Sequence, residues 1–60
     1  MSLESLIDAY RGDMCDFLIK EGDKDFVRLI DITLRKYYEI QNKTVISWYI
    51  DESNVIKIFI

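Results

Sequence analysis

The amino-acid sequence predicts an α+β fold in which an antiparallel two-helix hairpin is followed by a C-terminal two-stranded β-hairpin. Three observations support this prediction. Apolar residues recur at helical spacing in residues 3–20 and again in residues 24–41. The remaining segment is rich in β-branched and aromatic residues and is interrupted by one polar turn. With sixty residues, the chain is expected to form a single small domain over residues 1–60.

The first predicted helix covers residues 3–20. Ser2 precedes it as a candidate N-cap, because a serine hydroxyl can accept a hydrogen bond from a free N–H of the first turn. Gly22 follows as a candidate left-handed residue that ends the helix. The residues of its apolar stripe are Leu3, Leu6, Ile7, Tyr10, Met14, Phe17 and Leu18.

The second predicted helix covers residues 24–41. The connection around Gly22 and Asp23 is very short, which favours an antiparallel arrangement of the two helices. Leu29, Ile32 and Ile40 lie off the main stripe, so this helix is expected to bury a second face. Its main apolar stripe consists of Phe26, Val27, Ile30, Leu34, Tyr37 and Tyr38.

Two strands are predicted at residues 44–50 and 55–60, joined by the polar turn of residues 51–54. An isolated β-hairpin has two open edges, and the last strand is strongly apolar. We therefore expect this strand to pair with another chain, most simply in a dimer. The protein-binding residues predicted on this edge are Ile56, Ile58 and Ile60.

Size and composition limit the classes of function. A chain this short buries only about 60% of the surface that its unfolded form exposes, so self-association or partner binding is expected to support it. The net charge of −3 and the dispersed basic residues argue against nucleic acid or an anionic membrane as a partner. No apolar run approaches the roughly 18 residues of a membrane span, and the acidic start is unlike a signal peptide, which together predict a cytoplasmic protein.

Catalysis, metals and cofactors are not expected. The sequence has no histidine, so the commonest general base is absent and Cys15 has no imidazole to activate it. A lone cysteine without histidine cannot build a zinc site. The three aspartates Asp8, Asp13 and Asp16 would spread around a helix rather than form a calcium loop. The sequence therefore predicts a binding protein and not an enzyme.

The helical segments resemble the sporulation-inhibitor family Sda, small helical hairpins of Bacillus-type bacteria that block a sensor histidine kinase. The resemblance covers the predicted helices and not the strands from Thr44 onward. It implies that Phe26 lies on the kinase-contacting end of the hairpin. Its neighbour Val27 is also predicted as a protein-binding residue. The residues that carry it are Leu6-Ile7-Asp8-Ala9-Tyr10, Asp25-Phe26-Val27, Leu29-Ile30-Asp31 and Leu34-Arg35-Lys36.

A second resemblance is to the small aspartyl-phosphate phosphatases of the sporulation phosphorelay. The signature Ser-Gln-Glu-Leu-Asp of that family is absent, and the corresponding stretch is Asp31-Ile32-Thr33-Leu34-Arg35. Because a base stands where the signature ends in an acid, phosphatase activity is not implied. The residues at matching spacing are Ile7-Asp8, Arg11, Met14, Asp16 and Gly22.

The function predicted from the sequence is that of a small regulatory protein that inhibits or modulates a bacterial signalling protein, with a sporulation histidine kinase as the candidate partner. Two alternatives remain open. One is a phage or mobile-element inhibitor of a host enzyme, in which the acidic surface imitates nucleic acid. The other is a small dimeric assembly protein whose hairpin serves only self-association.

Overall fold

A computed structural model describes residues 1–13 and 16–60 of the chain, with Asp13 described through its main chain only. It is an α+β structure with two short helices and a four-stranded mixed sheet. Its helices are α1 (Leu3–Tyr10) and α2 (Leu34–Ile40), and its strands are β1 (Asp16–Lys20), β2 (Val27–Arg28), β3 (Ser47–Ile50) and β4 (Val55–Phe59).

Helix α1 begins where the sequence indicates. The Ser2 hydroxyl accepts a hydrogen bond from the Ser5 N–H at 3.2 Å, which confirms Ser2 as the N-cap. Leu3, Leu6 and Ile7 lie on one side of the helix and are buried. The helix ends at Tyr10, and a 3₁₀ turn follows at Arg11–Asp13.

The sheet has the strand order β2-β1-β4-β3. Strand β4 is an interior strand: it pairs parallel with β1, from Asp16 opposite Val55 to Lys20 opposite Phe59, and antiparallel with β3. Strand β1 pairs antiparallel with the two-residue strand β2. Since β1 and β4 are the two central strands, the middle of the sheet is built from segments far apart in the sequence.

The core lies between one face of this sheet and the two helices. Ile19 of β1 stands opposite Ile58 of β4, and Ile56 lies two residues away on the same face. These side chains pack against the buried face of α1 and against Ile40 of α2. The complete buried set is Leu3, Leu6, Ile7, Ile19, Ile40, Ile56, Ile58 and Ile60.

The predicted helical hairpin is wrong. The segment predicted as a helix over residues 3–20 becomes helix α1 followed, after the 3₁₀ turn, by strand β1. Phe17, Leu18 and Ile19 form a short apolar run that suits a central strand as well as a helix. Gly22 does adopt a left-handed φ of 56°, but in the turn after β1 rather than at a helix end. Met14 and Cys15 of the predicted first helix lie outside the described residues.

The segment predicted as a second helix over residues 24–41 is also divided. It contains strand β2, a 3₁₀ turn at Leu29–Asp31 and only then helix α2, so the two helices do not form a hairpin. Thr33 starts α2, because its hydroxyl accepts from the Lys36 N–H at 3.1 Å.

The predicted C-terminal β-hairpin over residues 44–50 and 55–60 corresponds to β3 and β4, but it is not a separate two-stranded unit. It is half of the four-stranded sheet. The open edge predicted for the last strand is wrong, because β4 has a hydrogen-bonded strand on each side. In the part of the chain that the structure describes, neither helix is long and apolar enough to span a membrane.

Candidate functional site: an aromatic and basic sheet face

The sheet face turned away from the helices carries aromatic and basic side chains. Side chains alternate along a strand, so the burial of Ile56 and Ile58 places Lys57 and Phe59 on the opposite face. The strand register adds Tyr49 of β3, which stands opposite Lys57. It also adds Lys20 of β1, which stands opposite Phe59.

Three aromatic rings meet on this face. Phe26, which precedes β2, contacts Phe59 edge to face with ring centroids 5.4 Å apart and an interplanar angle of 73°. Tyr49 stacks on the other side of Phe59 at 6.3 Å and 25°. Phe26 is 36% exposed and Tyr49 is 48% exposed, so the ring cluster remains open to solvent. We call this surface, formed by Phe26, Tyr49, Phe59, Lys20 and Lys57, the aromatic–lysine face.

The two lysines of this face lie close to the rings. The Lys57 ammonium is 5.8 Å from the ring centroids of both Phe26 and Tyr49. The Lys20 ammonium lies at the same distance from the Phe26 ring. At this distance a cation is attracted by the negative face of an aromatic ring. A Lys57 contact with an Asp51 carboxylate oxygen is longer than an ordinary hydrogen bond, at 3.8 Å.

This face is positively charged although the protein is acidic. Arg28 is opposite Leu18 and therefore shares the side of Lys20 and Lys57, while Asp16 is the acidic residue at the far end of β1 on the same side. Asp51 is a second acid on this side, with its carboxylate 3.8 Å from the Lys57 ammonium. Three bases and two acids give +1, and subtracting this from the total of −3 leaves −4 for the rest of the chain. The charge distribution therefore distinguishes this face from its surroundings.

An ion-pair cluster anchors the loop that leads to Phe26. The Glu21 carboxylate contacts the ammonium groups of Lys43 at 2.8 Å, Lys36 at 3.1 Å and Lys24 at 3.6 Å. Hydrogen bonds from Lys43 and Lys36 lower the pKa of Glu21 from 4.5 to about 2. Gly22 adds a main-chain hydrogen bond by donating its N–H to the Ile60 carbonyl at 3.2 Å.

Replacing Glu21 should make the stability of the folded protein depend less on pH in the acidic range. Because the folded-state pKa of Glu21 is depressed, its stabilisation is present above pH 4.5 and is lost as the pH falls towards 2. We expect Glu21→Gln to lower the melting temperature at neutral pH and to match the wild type near pH 2. Thermal unfolding followed by circular dichroism across this range measures the difference.

The matched control for this prediction is Glu39→Gln, which removes the same group from the exposed side of α2. It should leave the melting temperature nearly unchanged at every pH. A Glu21→Gln deficit that stays constant between pH 7 and pH 2 would show that the carboxylate charge is not the stabilising feature.

The residues predicted as protein-binding are separated by the fold. Phe26 lies in the aromatic–lysine face, whereas Val27 pairs with Ile19 and points to the other side of the sheet. Val27 there lines a groove of about 270 Å³ together with Ile19, Ile32 and Ile40. Ile56, Ile58 and Ile60 are 0%, 0% and 8% exposed and belong to the core. Of the five, Phe26 contributes to the face described above.

No family model, curated protein or solved structure matches this chain. Function is therefore inferred from the geometry of the aromatic–lysine face. Among residues 1–12 and 16–60, whose side chains are described, no group of three potential metal ligands stands together. The chemical groups that this face offers are aromatic rings and ammonium ions, which are groups for binding.

Lys57 is the residue of the sequence that marks the position of this face. It interrupts the otherwise apolar run of β4, and such an interruption marks the solvent side of a strand. Tyr49 could have been added from the hairpin register, since the turn of residues 51–54 sets that pairing. Lys20 and Phe26 join the face through the parallel pairing of β1 with β4, for which the sequence holds no local signal.

Proposed function

We propose that this protein is a small regulatory protein that binds a protein partner through the aromatic–lysine face and has no catalytic activity of its own. The observation that carries the proposal is the cluster of Phe26, Tyr49 and Phe59, which has two lysines beside it and lies on a sheet face that neither described helix covers. Aromatic side chains are enriched at protein interfaces, and the few residues that dominate the binding energy are often tyrosine or tryptophan.

The chemistry of the face specifies the kind of partner. The rings favour contact with apolar or aromatic side chains, and their centroid distances show that they are in contact with one another. The ammonium groups of Lys20 and Lys57 favour carboxylates beside that contact. The proposed partner surface is therefore an apolar side chain flanked by Asp or Glu.

A bacterial signalling protein in the cytoplasm remains the proposed partner class. The resemblance to inhibitors of sporulation histidine kinases implies a contact at Phe26, and Phe26 is accessible in this fold. The contact would be made by a sheet face and not by a helical hairpin, since Phe26 is followed directly by strand β2. The protein would inhibit its partner by covering a surface that the partner uses for its own activity.

Single-stranded nucleic acid is the competing ligand for the same groups. Nucleobases stack on exposed aromatic rings. The fold also brings Lys20 and Lys57 next to these rings, although the lysines are not adjacent to them in the sequence pattern of a nucleic-acid site. A net charge of −3 and a pI near 4.7 oppose this interpretation, because a polyanion is repelled by the rest of the protein. The overall charge favours a protein partner.

The proposal is tested by NMR chemical-shift mapping with defined ligands. The probe is a synthetic peptide in which Trp and Leu alternate with Glu, and a second peptide carries Lys in place of Glu. We expect the acidic peptide to shift the signals of the aromatic–lysine face. Phe26→Ala should weaken its binding by about tenfold or more, equivalent to ~1.4 kcal/mol, because it removes an exposed ring that has both lysines beside it.

Tyr38→Ala is the matched control, since Tyr38 is an aromatic residue that is 60% exposed on α2, away from the face. It should bind the acidic peptide as the wild type does. Equal binding of the lysine peptide, or tighter binding of a short oligouridylate to the same face, would overturn the proposal. The second result would instead favour nucleic acid as the ligand.

A further inference from the structure

Strand β3 forms an unprotected edge of the sheet. It lies at the end of the strand order, beside β4 only, and the opposite edge is the two-residue strand β2. The segment Ser47–Ile50 contains no charged residue and no proline, which are the usual features that protect an edge strand. Ile46, Tyr49 and Ile50 along this edge are 77%, 48% and 44% exposed.

The main-chain groups of two β3 residues point outward. Asp51 donates its N–H to the Val55 carbonyl at 2.9 Å, which makes this a hydrogen-bonded pair. Hydrogen-bonded pairs alternate along antiparallel strands, so Tyr49 also bonds to β4, whereas Trp48 and Ile50 direct their N–H and C=O away from it. Among residues 1–13 and 16–60, no main-chain bond from outside the strand pair reaches Trp48 or Ile50.

We infer that a second copy of this chain pairs antiparallel with β3, so that Tyr49 stands opposite Tyr49 of that copy. In this register Trp48 of each copy faces Ile50 of the other. All the outward N–H and C=O groups of these two residues then find partners in regular antiparallel geometry. The interface is isologous, because the same four-residue strand is used on both sides.

Charge favours the antiparallel direction, and the symmetric placement of the outward groups of Trp48 and Ile50 about Tyr49 favours a second copy as the occupant. Asp51 and Glu52 follow β3 at one end, and Lys43 precedes it at the other. In the inferred antiparallel register Asp51 of one copy stands opposite the uncharged Ser47 of the other, while parallel pairing would place the acidic ends side by side. Lys43 is already paired with Glu21 at 2.8 Å and takes no part. The strand itself is uncharged, so two acidic molecules meet along it without direct repulsion.

This pairing would join the aromatic–lysine faces of the two molecules. Tyr49 lies on that face and, at the two-fold axis, would touch its own counterpart. The aromatic surface would then extend from Phe26 of one copy to Phe26 of the other. The inference is independent of the proposed function, because it depends on the main-chain groups of β3 and not on the ligand of the face.

Disulfide trapping tests the pairing. In a Cys15→Ser background, Tyr49→Cys introduces the sole thiol. Directly opposed residues of a non-hydrogen-bonded pair have Cα atoms about 4.5 Å apart, which is within disulfide reach. Mild oxidation should therefore convert Tyr49→Cys to a covalent dimer, detected by mass spectrometry and by electrophoresis without reductant.

The matched control is Ser47→Cys in the same background. In the inferred register the two thiols introduced at this position are four residues out of step, roughly 14 Å apart along the strand, and the variant should remain free of covalent dimer. A disulfide at position 47 would show either parallel pairing or an antiparallel register centred on another residue, and both results would overturn the inference. Absence of a disulfide at position 49 in a protein that retains its circular dichroism would also overturn it.

A second variant makes the test independent of cysteine. Ile50→Pro removes an outward N–H that has no partner within the described part of the molecule, so the monomer should keep its circular dichroism spectrum. We expect sedimentation equilibrium to show a dimer for the native chain and a monomer for Ile50→Pro. A native chain that sediments as a monomer up to millimolar concentration would contradict the inference whatever the outcome of trapping.

Discussion

Ile58→Ala is expected to cause the largest loss of stability of any single substitution considered for this protein. Ile58 has no solvent exposure and stands on interior strand β4, opposite Trp48 on one side and Ile19 on the other. Truncating a buried isoleucine to alanine costs about 2–5 kcal/mol. A chain of sixty residues has a free energy of unfolding of roughly 3–9 kcal/mol, so this loss is a large fraction of the total. Urea unfolding followed by circular dichroism measures it.

Two further variants show whether burial causes this effect. Ile58→Val removes a single methylene group and should cost about 0.5–1.5 kcal/mol. Ile46→Ala makes the same truncation at a side chain that is 77% exposed and should change stability by less than about 0.5 kcal/mol. If Ile58→Ala had the same urea midpoint as the wild type, this result would contradict the burial of Ile58 on an interior strand.

Asp51→Ala is expected to have the second-largest effect on stability, by releasing the turn between β3 and β4. One Asp51 carboxylate oxygen accepts hydrogen bonds from the N–H of Ser53 at 2.9 Å and of Val55 at 3.0 Å. Hydrogen bonds to charged groups contribute about 1.5–3 kcal/mol, and the partial exposure of this turn favours a total loss of about 2 kcal/mol. The urea midpoint should fall accordingly.

Asp51→Asn is the informative control, because its amide oxygen can still accept both hydrogen bonds while the charge is lost. It should cost less than about 1 kcal/mol. Glu52→Ala, at the adjacent exposed position, should be nearly neutral. Equal losses for Asp51→Asn and Asp51→Ala would show that the contact with Lys57, and not the turn, is the stabilising interaction.

The start of helix α1 could be predicted from the sequence, but its end could not. Ser2 and the spacing of Leu3, Leu6 and Ile7 are local signals for a capped amphipathic helix, and the structure has both. The same spacing continues through Phe17 and Leu18, although those residues form strand β1. Their conformation is decided by pairing with Ile56 and Lys57, which are distant in the sequence.

The second predicted helix failed for a related reason. Phe26, Val27 and Ile30 fit a helical stripe, yet they precede the helix in a loop, strand β2 and a 3₁₀ turn. Thr33 was the overlooked local signal, since threonine is a preferred N-cap and its hydroxyl does cap α2. Periodicity over a short window did not separate a single long helix from three shorter elements.

The candidate site was only partly predictable. Phe26 was selected through a family resemblance, and the fold places it among Tyr49 and Phe59. The lysines that complete the face could not be placed, because Lys20 and Lys57 meet across a sheet whose strand order no local pattern specifies. The prediction of an open strand edge at Ile56 and Ile58 was wrong, because β1 pairs with β4 along that edge.

The position of β4 in the sequence also constrains when the protein can fold during its synthesis. Val55–Phe59 comes after every other element in the chain, yet it is the strand to which both β1 and β3 are hydrogen-bonded. A nascent chain on the ribosome therefore cannot close its core until this segment has left the exit tunnel. Until then β1 and the apolar side of α1 remain uncovered, and Phe26 and Tyr49 lack the ring that holds them together. Closure of the core and assembly of the aromatic–lysine face should thus coincide, because both require β4.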